Sequence, residues 1–573
     1  MHKKRIIQLS LFFIVFVLLV LPRSVRLTAD PPTNLSWSGG YYGDEAGYAH
    51  NARNKVLFGK WMLDEYNPVY VNPILTFFDY LSFRIFAPSI FSLRLVALFW
   101  GVLGIFFIFF ILKYGCDASW MPWAGLLLLE TNDFFLMYTR LSLSDTMLTN
   151  WMLFSVFLWT LGLKKRFFMF FAGLSSMVVM SCKPTAVYFS FVLFLASLFH
   201  FTKEVQASAP GVSVERRPIV KEIFLRISPF VVGVLTGGFL WLGLYFLPHH
   251  AEFAKMSSGW SLLSLPKSLR EFLSREFGSY APIVFKHFAR FPYSFLLAWC
   301  YLPVSGYRIL KKDRHVRSLE FLALFWFLLG YISLSGFRYR PPRYYLSLVP
   351  PVMILALFSM EALLNASWNS LKRNKMFVLG YIGWVILTFH LAKKYILLDS
   401  SYIFISGFVV SGIILGGMKI FHGKISSEKR LFRKAGLYIA VLIFSLSLTH
   451  NLFLYMKWAK RPSYQVLTAS REVGKMVKNG IIVGLWAPMI CMENRNRALC
   501  VASHWFNDKE PYKTYHFTHV FLWRGNHDAE LSLIRRPLGR NFIKEHLKPV
   551  AKFKIKGAWG ILFKVVQKKE ARK

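Results

Sequence analysis

The chain is short of acid. Its 573 residues hold 29 aspartates and glutamates against 70 lysines and arginines, a formal net charge of +41. Such a surplus raises the question of nucleic acid, because basic patches bind phosphate backbones. Here the basic residues gather in short segments between apolar runs, where the orientation signals of membrane proteins belong, so the sequence speaks against a nucleic-acid partner. Cysteine is scarce as well. The five that occur form no CxxC and no metal-ligand spacing, which excludes a disulfide framework or a zinc module. No metal site is legible, although a divalent ion held by other side chains stays open. No GxGxxG-type loop stands in a βαβ setting, so there is no dinucleotide fingerprint. Nor is there an internal repeat of the kind many transporters show. The first apolar run lacks an A-x-A site behind it and meets Arg23 and Arg26 instead. It reads as an uncleaved helix with its N-terminus inside.

What the sequence has in abundance is apolar side chains, 55% of all residues, with 18% aromatic. Runs of about 20 such residues, enough to cross roughly 30 Å of hydrocarbon, recur along the chain. Expected crossings are 6–22, 92–113, 119–137, 145–163, 167–183, 185–201, 227–247, 289–306, 318–336, 344–363, 376–392, 396–420 and 436–456, thirteen in all. Starting inside, the even connections fall inside, and "LKKRF" (163–167), "VERRPIVKEIFLR" (214–226), "RILKKDRHVR" (308–317), "LKRNK" (371–375) and "SEKRLFRK" (427–434) are all basic. The fold class expected is therefore a polytopic α-helical membrane protein, with a transmembrane domain over 1–456 and a soluble α/β domain over 457–573. Two outer loops are expected, 23–91 and 248–288, the first with helices lying on the membrane surface.

In the last segment "VLTASREVGKMVKNG" reads as a helix, and "IIVGLWAP", "THVFLW" and "AWGILFKVV" as strands. "MIC" and "ALC" flank a polar turn from Glu493 to Arg497, so Cys491 and Cys500 would face each other across a hairpin. A disulfide there is one reading; two unpaired thiols on opposite strand faces are the other. The "NRNR" run from Asn494 reads as a solvated turn.

Chemistry-bearing residues gather on the expected outer side. Asp44 and Glu45 follow the glycines and tyrosines of "SWSGGYYGDEAGYAHNARNK"; the plain reading is a pair of carboxylates capping a helix. Arg140 and Asp145 lie in the turn "YTRLSLSDTML", Lys183 ends an apolar run in "SCKPTA", and Arg338, Arg340 and Arg343 stand in "FRYRPPRYYLSL". Ionisable groups at membrane depth are costly and mark sites. Arginine forks and a lysine suit an anionic phosphate, and a carboxylate beside them can take a proton from a hydroxyl. Glu130 and Asp133 read as a polar helix end. His249 and His250, being adjacent, point different ways and make a poor metal pair.

The stretches "YYGDEAGYAHNARNKVLFGKW", "NPVYVNPILTFFDYLSFRIFAPSIFSLRL", "MYTRLSLSDTMLTN", "SCKPTA" and "RYYLSLVPP" together resemble the GT-C glycosyltransferases. The branch resembled contains the bacterial protein O-mannosyltransferases and the lipid A aminoarabinose transferase, and the likeness covers residues 37–190 and 335–352. It implies an inverting glycosyltransferase that moves a sugar from a polyprenyl phosphate to a hydroxyl acceptor at the outer face of a bacterial inner membrane, among membrane lipids. Asp44 would then be the base. Glu45 would orient the loop or acceptor, or cap the helix. Asp145 would be the second acidic position, and Lys183 and Arg343 would lie near the donor phosphate, with Arg338 next in line. Arg140 would serve the same phosphate or pair with Asp145. The chain departs from the mannosyltransferases in the first loop, where "VNPIL" replaces a histidine-bearing stretch, so the acceptor is not implied. The competing class is a transporter or flippase of a polyprenyl-linked or other anionic lipid.

Overall fold

The computed structural model describes residues 2–36, 38–208, 216–258, 266–277, 288–337, 339–365, 375–392, 409, 430–501, 514–523 and 542–566. Helix α1 spans His2–Ser24. The first loop then folds into α2 (Asp44–Tyr48), α3 (His50–Phe58) and α4 (Pro73–Phe86) before α5 (Ile90–Gly115). The third expected crossing is two pieces, α6 (Met121–Glu130) and α7 (Asp133–Tyr138). Next come α8 (Ser144–Gly162), α9 (Arg166–Cys182), α10 (Tyr188–Ser208) and α11 (Arg216–Leu240). The second loop holds α12 (His250–Ser258) and α13 (Leu269–Phe277). The bundle closes with α14 (Pro292–Leu310), α15 (Ser318–Ser335), α16 (Val349–Asn365), α17 (Lys375–Ala392) and α18 (Arg430–Lys460).

Among the described residues, six helical segments are long and apolar enough to cross a membrane: Ile90–Gly115, Pro184–Ala207, Ile219–Met256, Ser318–Ser335, Pro342–Leu364 and Gly436–Met476. Shorter apolar helices add Phe13–Ser24, Met121–Glu130, Arg166–Cys182 and Met376–Thr388. The crossing expected at 396–420 lies, residue 409 apart, outside the described residues. Exposed phenylalanines and leucines, such as Phe99, Phe167, Phe239 and Leu379, stud the outer faces of these helices. In water such a surface would be a liability; in lipid it is the solvent-matched face. Where two helices must meet closely, glycine lets them. A Cβ at Gly173 would lie 2.1 Å from the Phe230 carbonyl oxygen, and one at Gly233 would lie 2.0 Å from that of Phe170. The reciprocal pair puts α9 and α11 backbone to backbone, the way membrane helices associate through small residues.

Asparagine and charge explain the split third crossing. Asn132 caps α7, its side chain accepting from the Phe135 amide at 2.8 Å. Glu130, at the end of α6, pairs with Arg23 of α1, and Asp133 pairs with Arg290. Both carboxylates are thus helix-end groups with their own cations.

The C-terminal segment opens with α19 (Gln465–Met476) and builds one mixed sheet from β1 (Ile481–Val483), β2 (Arg497–Leu499), β3 (His519–Trp523), β4 (Leu547–Ile555) and β5 (Ala558–Val565). The order is β2-β1-β3-β5-β4, and β1 runs parallel to both β2 and β3. This corrects the expected hairpin around Glu493–Arg497. "APMI" is a short helix, Ala487–Ile490, that carries the chain back so that β2 lies parallel to β1 with Ile481 opposite Arg497. Cys491 ends that helix, Cys500 follows β2, and no disulfide joins them. Burial pushes the Cys491 thiol up to about 11. The polar run is no solvated turn either. Asn496 is buried, its amide donating to the Val477 carbonyl while its oxygen accepts from the Gly480 amide.

This sheet domain is bonded to the first loop through buried polar groups. The Asp30 carboxylate accepts from Ser463 and from the amides of Gln465 and Val466, capping α19 from a distant part of the chain. Arg53, fully buried, donates at 2.8 Å to the carbonyls of Cys491, Asn494 and Asn496. Asp64 accepts from the Cys500 amide at 2.9 Å and from His50 at 3.0 Å.

Candidate active site

Four residues from four separate places meet at the mouth of the bundle. Asp44 is the first residue of α2, with Gly43 before it as cap. Asp145 lies in the first turn of α8. Lys183 follows α9 in extended backbone, φ −164°, as expected of a residue before a proline. Arg343 opens the 3-10 turn Pro342–Leu348 that leads into α16.

The Lys183 ammonium donates to Asp145 Oδ1 at 2.6 Å. Arg343 Nη2 lies 2.5 Å from Asp44 Oδ2, and its Nε lies 3.6 Å from Asp145 Oδ2. Two carboxylates and two cations therefore balance in charge. Tyr344 underlies the pair, with the Lys183 ammonium 3.6 Å from its ring centre and the Arg343 guanidinium 5.6 Å away. Lys183, Asp145 and Arg343 are buried, whereas the Asp44 side chain keeps 32% of its surface exposed. Arg343 Nη1 has no hydrogen-bond partner among the described residues. Burial raises the Asp44 carboxyl above the ordinary carboxylate range; the guanidinium of Arg343 opposes that shift, and Asp145 adds to it.

Glycine makes the approach possible. A Cβ on Gly40 would sit 2.8 Å from Asp44 Oδ2 and 3.0 Å from Arg343 Nη1. On the other side of this loop the stacked indoles of Trp486 and Trp523, ring centres 4.8 Å apart, press against Gly43 and Gly39.

The remaining sequence candidates go elsewhere. Glu45 turns away from its neighbour and binds Arg94 of α5, accepting from Arg94 Nη2 at 2.7 Å and from the Ser142 amide at 3.0 Å. It ties the first loop to the turn that carries Asp145. Arg140 does not pair with Asp145: its guanidinium donates to the carbonyls of Pro22, Arg23 and Arg26 and stacks 4.6 Å over Trp458. The frayed end of α1 has orphan carbonyls to satisfy, and Arg140 is the side chain that reaches them. Arg338 lies outside the described residues. Arg340 binds Glu276 at 2.7 Å and the Arg275 carbonyl, tethering α13. His250 contacts the Leu247 carbonyl, and His249 lies tilted against Tyr70 and edge-on to Tyr245. No group of three or more metal-ligating side chains occurs among the described residues.

Some site residues escaped sequence reasoning. Arg94, a charge inside "SLRLVALFW", was a readable signal of a buried partner. Tyr344 adjoins Arg343 and gave none. Trp486 and Trp523 are more than 400 residues from the glycines they touch, beyond the reach of any local pattern.

The fold is a bundle of apolar helices of membrane-spanning character joined to a C-terminal sheet, and solved membrane proteins share it. The chain matches the crystal structure of ArnT from Cupriavidus metallidurans in the apo state with a TM-score of 0.54 at 14% identity, covering 97% of each chain. The same protein bound to undecaprenyl phosphate matches with a TM-score of 0.50 at 13% identity, again over 97% of each chain. Archaeal oligosaccharyltransferase AglB from Archaeoglobus fulgidus, in complex with an inhibitory peptide and a dolichol-phosphate, scores 0.46 at 12% identity over 97% of this chain and 74% of its own. The fold assignment rests on the first two. No family model and no curated protein matches the sequence.

Proposed function

We propose that the chain is an inverting glycosyltransferase that moves a sugar from a polyprenyl-phosphate donor to a hydroxyl acceptor on the outer side of the membrane. The observation that carries this reading is the Asp44–Arg343–Asp145–Lys183 quartet, two fixed cations and two carboxylates at the end of a lipid-facing bundle. A GT-C neighbour bound to undecaprenyl phosphate adds support for the donor class.

The chemistry follows from the geometry. The donor's anomeric carbon is bonded to a phosphate, and the step that breaks that bond leaves charge on the phosphate oxygens. Arg343 and Lys183, already desolvated and held in place, stabilise that charge where preorganised electrostatics is most effective. The donor phosphate takes up Arg343 N–H groups that Asp44 and Asp145 leave open. Asp44, released from part of its ion pair and disposed by burial to bind a proton, then accepts the acceptor's hydroxyl proton. Attack by that oxygen on the face opposite the phosphate inverts the anomeric centre. Asp145 holds Lys183 and braces Arg343 throughout. Of the other carboxylates singled out in the sequence, Glu130, Glu45 and Asp133 are committed to Arg23, Arg94 and Arg290.

The test is transfer by the purified full-length protein in lipid nanodiscs with polyprenyl-phosphate sugars. Asp44→Asn keeps the shape and loses the base, so transfer should vanish with the fold intact. Lys183→Met should weaken donor binding by about 1–3 kcal/mol, the range for a lost charge-assisted contact. Wild-type turnover by a folded Asp44→Asn protein would end the proposal. Protein-dependent flipping of the donor across vesicles without transfer would replace it with the transport reading. Glycan and lipid analysis of the envelope of a deletion strain identifies the sugar and the acceptor.

A further inference from the structure

The turn joining β4 and β5 is two residues long, Lys556 and Gly557, with Ile555 opposite Ala558. Both take positive φ, 51° and 74°. Turns of this primed type favour asparagine or aspartate followed by glycine. A lysine in the left-handed region is held there at a cost in backbone energy, and such outliers need a reason.

The reason lies at the tip. The half-buried Lys556 ammonium donates to the Ser38 carbonyl at 3.0 Å and the Ser36 carbonyl at 3.3 Å, and stands 4.7 Å from the centre of the Tyr41 ring. Its backbone N–H donates to Gln465 Oε1 at 3.0 Å, which fixes the turn on α19. No carboxylate pairs with it among the described residues. The groups facing it are the rings of Tyr41 and Tyr42 from the loop and neutral Gln465 from α19; Asp30 is occupied by the α19 N-terminus. Trp523 of β3 donates to the Ile555 carbonyl next door. Ser38 then passes the contact on. Its hydroxyl meets Tyr339 at 2.8 Å and accepts from the Gly40 amide at 3.3 Å, and Gly40 abuts both Asp44 and Arg343.

We propose that Lys556 is a positioning residue for transfer: its ammonium, delivered by the C-terminal domain, holds Ser36 and Ser38, and through Ser38 Gly40, so that Asp44 stays aligned with Arg343. The proposal rests on the transferase reading for its catalytic half, while its structural half can be measured without any donor. Turnover would thus depend on a hairpin that never touches substrate. Burial lowers the Lys556 ammonium to about 8, so the hold loosens as pH rises through that value.

The experiment uses the full-length protein in nanodiscs, with Lys556→Met and Lys556→Arg, and two readouts. The first is hydrogen exchange at the amides of Gly40, Tyr42, Gly43 and Gly47, all bonded within this loop, corrected for intrinsic rate. The second is the pH profile of kcat and KM. Lys556→Met should speed exchange across the loop and lower kcat by roughly ten- to hundredfold with a smaller change in donor KM, as misplacement of a reacting group does. The wild type should lose protection and turnover as pH rises through about 8. Lys556→Arg, which stays charged, should fold, keep turnover and lose that alkaline limb. Unchanged exchange in Lys556→Met overturns the proposal whatever the activity. So does faster exchange with unaltered kcat, or an alkaline limb that survives in Lys556→Arg. A wild type with no transfer from any polyprenyl donor sinks the transferase reading, and the catalytic half of the proposal with it.

Discussion

Asp44 and Glu45 are neighbours in sequence with opposite duties, and substitution should separate them. Glu45 is buried against Arg94, whose Nε lies 3.0 Å from Oε1 and whose Nη2 lies 2.7 Å from Oε2. Arg94 Nη1 donates to the carbonyls of Leu27 and Ala29. Glu45→Gln preserves the size of the side chain and leaves the guanidinium charged in a site with no other carboxylate bonded to it. Breaking one side of a buried pair costs about 3–5 kcal/mol, because the surviving charge is left without compensation. The fold should lose that much, and the loop from Leu27 to Glu45 with it. The double variant Glu45→Gln, Arg94→Met removes both charges and should recover a large part of the loss, a coupling that a double-mutant cycle measures. Thermal unfolding in detergent, followed by tryptophan fluorescence, gives the ranking; donor-dependent transfer gives the activity. Asp44→Asn should stand apart, near wild type in unfolding and inactive. A Glu45→Gln protein as stable as wild type but inactive would refute the argument and put Glu45 among the reacting groups.

Two further outcomes follow from titration and from the thiols. Because burial raises the Asp44 carboxyl, and as the proposed base it would have to be ionised, kcat should fall as pH drops through a pKa above the ordinary carboxylate range, and Asp44→Glu should shift that acid limb. Since no disulfide joins Cys491 and Cys500, dithiothreitol should leave the unfolding midpoint unchanged, and both thiols should label only after denaturation.

The legible part of this protein was the part written in local patterns. Apolar runs marked α5, α8 and α9 within two residues, since a crossing helix needs only length and hydropathy, whereas α10 runs seven residues beyond the expected end at 201. Asp44, Asp145, Lys183 and Arg343 could be picked out because each is an ionisable group or an acidic turn where apolar sequence makes it conspicuous. Their pairing was not legible: Lys183 on Asp145 and Arg343 on Asp44 depend on how four chain segments close. Arg140 shows the limit well. Its position in the acidic turn suggested Asp145, yet the carbonyls at the end of α1 hold it, and no pattern in sequence reports an unmet carbonyl over 100 residues away. The strand-turn-strand reading around Cys491 failed for a similar reason. Apolar residues either side of a polar turn fit an antiparallel hairpin or a short helix with a parallel return, and only the parallel pairing of β2 with β1 decides between them.

The bonds between the first loop and the sheet domain also set an order in time. Arg53 waits for carbonyl partners 438, 441 and 443 residues downstream, and Asp64 for an amide 436 residues downstream. At about 5–20 residues per second, synthesis of that intervening chain lasts roughly 20 to 90 seconds. Until the C-terminus emerges, the loop bearing Asp44 carries buried-type charges with nothing to answer them. A stalled or truncated chain can therefore place most of its helices in the membrane and still lack a formed site. Synthesis of residues 491–500, rather than insertion of any helix, supplies the partners of Arg53 and Asp64.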